Sequence, residues 1–222
     1  MKPQTMAATS GDLAHLRRRL DYQTLALALL SLIASLVLGL ADFATTGAIA
    51  ERLAEDRKAT LAQVLPATLH DNDLLQDPIT LEGTSIYVAR KHGVVTGAAF
   101  QWTASGGYSG PIVVMIGVDR QGVLLGVRVI AHTETPGLGD KIERGKSDWI
   151  LSFDGRSLVN TPEARWRVKK DGGDFDQFSG ATITPRAVVR GIENALQFFA
   201  RHREAIVSPP TNMLSQREEH PS

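Results

Sequence analysis

The chain contains no cysteine in its 222 residues. That absence excludes disulfides, thiolate zinc sites, cysteine-ligated iron–sulfur clusters and cysteine nucleophiles. Net charge is absent too: 24 basic side chains balance 24 acidic ones. The chain therefore lacks the basic excess of a nucleic-acid binder. Familiar enzyme signatures are also missing. The glycine-rich stretch Ser105-Gly106-Gly107-Tyr108-Ser109-Gly110-Pro111 has neither GxGxxG spacing nor the lysine of a P-loop, and reads as a surface turn ahead of a strand. There is no HExxH, no nucleophile elbow GxSxG and no Ser-x-x-Lys pair. No catalytic residue and no metal site is assigned. If such a chain moves electrons, a cofactor that needs no cysteine must carry them.

What is present begins with a run free of charge between Asp21 and Asp42. As a helix, residues 22–41 would span about 30 Å, enough to cross a hydrocarbon core. Arg17-Arg18-Arg19 stands just before it. Basic residues stay on the cytoplasmic side, so the C-terminal bulk is expected on the outer side of a bacterial cytoplasmic (inner) membrane. A cleaved signal peptide would have a shorter apolar region followed closely by small residues. Gly47-Ala48-Ile49-Ala50 lies well beyond the run, so an uncleaved single-pass anchor is favoured. This gives a cytoplasmic segment at 1–20 and a transmembrane helix at 21–42.

Residues 43–82 read as an exit helix and connector. Ile49, Leu53, Leu61 and Leu65 share a helical face, and Pro66 ends or bends the helix. Asp71, Asp73, Asp77 and Glu82 match positions 1, 3, 7 and 12 of a calcium loop. Leu75 occupies a ligand position and Gln76 replaces the required glycine, so this is an acidic surface loop.

Residues 83–205 read as one α+β domain. Stretches 86–89, 94–102, 112–118 and 123–131 are rich in β-branched residues and predict strands. Asp119-Arg120-Gln121-Gly122 suits a hairpin between the last two. Residues 148–153 form a short helix or strand, and 164–168 alternate as a strand around Trp166. Trp149, Phe153 and Trp166 are read as core. After 185, Val188, Ile192, Ala195, Leu196 and Phe199 recur at helical spacing and predict a helix covering the sheet. The polar end, residues 206–222, reads as a disordered tail.

Two stretches are more specific. His132-Thr133-Glu134-Thr135-Pro136-Gly137-Leu138-Gly139 follows a strand, where ligand-binding loops are often held. The glycines flanking Leu138 let backbone approach a planar ligand closely; an ordinary solvated loop is the alternative. Asp176-Gln177-Phe178-Ser179-Gly180-Ala181-Thr182-Ile183-Thr184-Pro185 joins a polar loop to a helix start. Thr184 suits an N-cap and Pro185 the first helical position. Thr182 then stands just outside a helix N-terminus, where a phosphate is favoured. Gly180 and Ala181 leave its hydroxyl approachable.

Ser-Gly-Ala-Thr ending at Thr182, with Asp176 upstream, resembles the flavinylation motif of FMN-binding subunits of membrane redox pumps. Glu-Thr-Pro-Gly-Leu-Gly at 134–139 resembles the second signature of the same domain. With the N-terminal anchor, the chain resembles the G subunit of the Rnf electron-transport complex, and is similar to the related C subunit of the sodium-pumping NADH:quinone oxidoreductase. The resemblance implies α+β architecture: one transmembrane helix, then an FMN-binding domain with a mainly antiparallel sheet and packed helices. It implies FMN esterified through its phosphate to Thr182 by a flavin transferase that reads Asp176. Ser179, Gly180, Ala181 and Thr184 would surround the attachment point, with Glu134, Thr135, Pro136, Gly137, Leu138 and Gly139 against the flavin. Thr184 and Arg186 are expected to contact the phosphate. The implied role is electron relay within a multi-subunit ion-translocating oxidoreductase, with other membrane subunits as partners. The sodium pump's C subunit and a non-redox assembly subunit are the alternatives.

Overall fold

The computed structural model describes residues 10–76 and 78–208. Asp77, and residues 209–222 of the expected tail, lie outside the described residues. The chain divides into two units, one ending at Glu55 and one beginning at Asp56.

The first unit is helical. Helix α1 (Ser10–Val64) has no break at the expected boundary between residues 42 and 43. No proline interrupts the helix before Pro66, and the hydroxyls of Thr45 and Thr46 bond back to the carbonyls of Ala41 and Asp42 within the helix. Leu25, Leu30, Leu32, Leu36 and Leu40 are all more than half exposed. Among the described residues, this is the one helix long and apolar enough to cross a membrane.

The second unit contains the last turns of α1, from Asp56 on, and an antiparallel five-stranded sheet. Its strands are β1 (Ile79–Leu81), β2 (Thr84–Lys91), β3 (Val94–Ala104), β4 (Ile112–Asp119) and β5 (Leu124–Ala131), paired in chain order. The 112–118 and 123–131 stretches do pair, across the Asp119–Gly122 turn, where Asp119 accepts the N–H groups of Gln121 and Val123. Helix α2 (Ile183–Val207) lies on one face. There Val188, Ile192, Leu196 and Phe199 join Ile86, Val88, Phe100, Val114 and Ile116 in the main core. The alternate residues Tyr87, Ala89, Ala99 and Met115 face Leu61, Val64 and Leu65 in a second cluster. Period-two alternation thus gives the sheet two buried faces.

Three expectations change. Strand β1 falls inside the presumed connector, so the sheet begins before residue 83. Three residues carry too little periodicity to be seen; they are fixed by the Glu82-Gly83 turn, both residues with positive φ (48° and 77°). Residues 164–168 are not a strand: Glu163–Arg165 is a 3-10 turn, and Trp166 is buried with its indole N–H donating to the Thr161 carbonyl at 3.0 Å. Trp149–Phe153 is also a 3-10 turn. The aromatic residues do pack as core, with Phe153 and Phe175 stacked at 4.5 Å and Trp149 edge-on to Phe178 at 5.1 Å. Helix α2 runs on through Val207, into the stretch read as tail.

Both helices reach the sheet over glycine. Gly117 and Gly126 pair across β4 and β5. A Cβ on Gly117 would stand 2.1 Å from the Val64 carbonyl oxygen, and one on Gly126 3.1 Å from that of Gln63. The end of α1 therefore rests on bare strand backbone. Gly191 gives α2 the same close approach, since its Cβ would meet that of Ala104 at 2.3 Å. Glu193, half-buried on α2, has its carboxyl pushed above the usual glutamate range by burial and then by the charge of Glu163.

Two outcomes are expected. Gly117→Ala should destabilise the second unit by about 1–3 kcal/mol through overpacking, despite the better strand propensity of alanine; chemical denaturation measures this. Glu193→Gln should raise Tm at pH 7, with the gain vanishing below the ordinary glutamate pKa. The wild-type carboxyl contributes fully to stability only below that pKa, and loses its contribution as pH rises through the raised one.

Candidate functional site

The site lies where three connections meet: the loop between β3 and β4, the loop leaving β5, and the turn entering α2. Glu134 joins them. Its carboxylate is buried, at 4% exposure. Oε1 accepts the Ser109 N–H at 2.9 Å, and Oε2 accepts the Thr184 hydroxyl proton. Thr133 adds a bond from its hydroxyl to the Ser109 carbonyl at 2.9 Å. Behind Glu134, His132 Nδ1 accepts the Glu134 N–H at 3.0 Å, while Nε2 lies 2.9 Å from Glu143 Oε1. The loop then folds tightly, with the N–H groups of Leu138 and Gly139 both bonded to the Thr135 carbonyl. Gly137 supplies a φ of +78°. Gly139 is needed for closeness: a Cβ there would stand 2.9 Å from both Glu134 Cβ and Thr184 Oγ1.

The second stretch turns at Gly180, with φ +81°, and the Ala181 N–H closes on the Phe178 carbonyl at 3.2 Å. Thr182 is the N-cap of α2. Its hydroxyl makes no hydrogen bond among the described residues, and its side chain does not cap the helix. Helix α2 starts at Ile183, so its first amides, which have no partner within the helix, lie beside Thr182.

Between the two stretches is a cavity of about 540 Å³. Glu134, Thr135, Leu138 and Gly139 line it from one side and Gly180, Ala181, Thr182, Ile183 and Thr184 from the other, with Tyr108 at its rim. Pro136, Gly137 and Ser179 belong to the same loops but lie outside its lining. Sequence reasoning did not single out Tyr108 or Ile183. Both are large apolar side chains left exposed, at 69% and 46%. An aromatic residue inside the Gly106–Gly110 loop was the available signal for Tyr108.

Two side chains expected at the phosphate have other partners here. Thr184 is not the N-cap and does not face outward to donate to a phosphate; it is fully buried and its proton goes to Glu134. Arg186 is not free for a phosphate either. Its Nε and Nη2 hold both oxygens of Asp171 at 2.6 Å. That bidentate bond holds the Asp171 carboxyl below the usual carboxylate range and raises the guanidinium. Arg186 faces a neighbouring cavity with Trp166, Arg167 and Arg190. Asp176 is exposed and outside the 540 Å³ cavity; its carboxylate pairs with Lys169 Nζ at 2.6 Å, and its carbonyl accepts the Trp149 indole N–H at 2.8 Å.

Residues 107–197 match the FMN-binding domain family. They include both loops of the cavity and most of α2, so the class of protein is one built around an FMN-binding domain. Over 190 residues the chain is 55% identical to the G subunit of the ion-translocating oxidoreductase complex of Cereibacter sphaeroides (strain ATCC 17029 / ATH 2.4.9), covering 83% of this chain and 86% of that protein. It is 50% identical to the corresponding subunit from Stutzerimonas stutzeri, over 85% of each chain. A crystal structure of NqrC from Shewanella oneidensis aligns with a TM-score of 0.44 at 21% identity, over 66% of this chain and 74% of that one. The chain belongs to the family of G subunits of ion-translocating oxidoreductase complexes.

Gly139→Ala is expected to push Glu134 and Thr184 apart and lower stability by about 1–3 kcal/mol. A fall in Tm relative to wild type checks it, and an unchanged Tm would contradict the packing described.

Proposed function

We propose that the chain is a membrane-anchored electron-relay component of an ion-translocating oxidoreductase, carrying FMN esterified through its phosphate to Thr182. One observation carries this reading. Two stretches fifty residues apart, joined by the bond from Thr184 to Glu134, close on one cavity, and Thr182 stands at its edge with an uncommitted hydroxyl.

The residues present fit FMN. The cavity volume of about 540 Å³ falls within the roughly 300–1,000 Å³ of small-molecule sites. Its apolar side chains, Leu138, Ile183 and Tyr108, suit a flat ring system. The first amides of α2 suit a phosphodiester, which keeps one negative charge and gains about 0.3–1 kcal/mol from the helix dipole. FMN, when bound, supplies the capacity to accept and pass on electrons singly, which lets it stand between one-electron carriers.

Attachment needs a flavin transferase and FAD. Thr182 Oγ1 forms a bond to the flavin-side phosphorus, the P–O–P bond breaks, and AMP and the hydroxyl proton leave; nothing is oxidised. Asp176 is exposed, away from the cavity, and held at its backbone by Trp149. That placement suits recognition by the transferase better than contact with flavin. Ser179, also outside the lining, fits the same role.

The apolar surface of α1 between residues 22 and 41 is the membrane anchor in this reading, with the arginines at 17–19 inside and the FMN domain on the periplasmic side. Other subunits of the complex supply the electron donor and acceptor, so the chain completes no reaction alone.

The test is intact mass and peptide mapping of the chain expressed with and without a flavin transferase. FMN on the peptide containing Thr182, dependent on the transferase, is expected. Thr182→Ala should carry no covalent flavin; an adduct elsewhere would refute the attachment site. Asp176→Ala should lose more than about 90% of the flavin while keeping the wild-type Tm, and full loading of that variant would refute its recognition role.

A further inference from the structure

The Glu134 carboxylate is buried, lines the cavity and makes no ion pair among the described residues. Its neighbours compensate it only with dipoles. Ser109 gives one N–H and Thr184 one O–H. His132 offers the carboxylate no donor: its Nδ1 accepts the Glu134 N–H, and its Nε2 faces Glu143. Gly107 and Gly139 close the space around it. A methyl on either would meet its carboxylate oxygens, at 2.9 Å from Oε1 and 3.1 Å from Oε2.

We infer that Glu134 is an electrostatic residue that lowers the reduction potential of the flavin bound in this cavity. The inference rests on the FMN reading above. Reduction adds negative charge to the ring system. A fixed anion in a poorly screened wall opposes that charge, and two hydrogen bonds disperse it without cancelling it. Thr184 then has a second role besides bridging: its proton partly offsets the Glu134 charge. Removing the carboxylate charge and removing the Thr184 proton therefore act on the flavin in opposite directions.

Those opposite signs make the test. Glu134→Gln keeps the shape, the acceptor for Ser109 and a group able to bond Thr184. Thr184→Val keeps the volume and the Glu134 charge but deletes the proton. The full-length chain is flavinylated and purified in detergent, its flavin content is fixed by intact mass, and it is titrated by spectroelectrochemistry at pH 7. At one applied potential, Glu134→Gln should show a reduced-to-oxidised ratio about tenfold or more above wild type. Thr184→Val should show a ratio equal to or below wild type. An unshifted Glu134→Gln, or both variants shifted upward as by common loosening of the loops, would overturn the inference. Wild-type protein that takes no flavin at Thr182 would instead defeat the earlier reading, before any titration.

Discussion

The structure depends on one buried carboxylate. Glu134 is the point at which three irregular connections are made to meet. A buried carboxylate that loses its donors is strongly unfavourable, so the arrangement is close to all-or-none. Either Ser109 and Thr184 both reach it, or the loops separate and it returns to water. The glycines on either side make the meeting geometrically possible, because side chains at Gly107 and Gly139 would occupy the space the carboxylate fills. The sequence pattern Glu-x-x-x-x-Gly in this loop is thus a physical unit. The acid supplies the bonds, and the glycine supplies the clearance.

That unit is held by an ordinary scaffold. The five-stranded meander orders β3, β4 and β5 side by side, so the loop before β4 and the loop after β5 emerge at one end of the sheet. Helix α2 crosses β3 closely at Gly191 and brings its N-terminus to the same end. The aromatic cluster of Trp149, Phe153, Trp166, Phe175 and Phe178 stiffens the long irregular approach to α2. Trp149 contributes twice, packing against Phe178 and donating its indole proton to the Asp176 carbonyl. Core packing and presentation of the Asp176–Thr182 turn are therefore one problem, solved by the same side chains.

Much of this was legible in the sequence, for specific reasons. Strands β2 to β5 run over eight or more residues rich in apolar and β-branched side chains, and helix α2 repeats its apolar residues at helical spacing. Both loops of the cavity stood out by their resemblance to the two signatures of one domain family, with glycines that permit close approach and a helix start at the second. What was hidden was hidden by competition between local and distant partners. Thr184 before Pro185 is a good N-cap by local rules, and it became a buried donor because Glu134, distant in sequence, competes successfully with the helix end. Arg186 was an attractive phosphate ligand until Asp171 offered it a planar, bidentate partner at 2.6 Å. Trp166 alternates with polar neighbours, yet a 3-10 turn buries it by a different route. For Thr184 and Arg186 the deciding partner lies in another stretch of the chain, where one-dimensional spacing gives no sign.

The missing cysteine and the Thr182 hydroxyl, which makes no hydrogen bond among the described residues, are linked in the proposed function. A chain without thiolates cannot hold a metal cluster through cysteine, so an electron carrier here must be one that needs no cysteine. The cavity is shallow enough to leave Tyr108, Leu138 and Ile183 exposed at its edge, which suits rapid exchange of electrons with a partner but weakens retention of a small molecule. On the outer face of a membrane, a flavin that dissociated would be diluted away. In the proposed reading, one ester bond at Thr182 would remove that loss, because a short tether would keep the ring at high effective concentration against its loop. Such a tether would allow the site to stay open. Tight enclosure, the usual route to retaining a cofactor, would bury the ring and lengthen the path to its redox partners; the proposed covalent attachment would separate retention from burial.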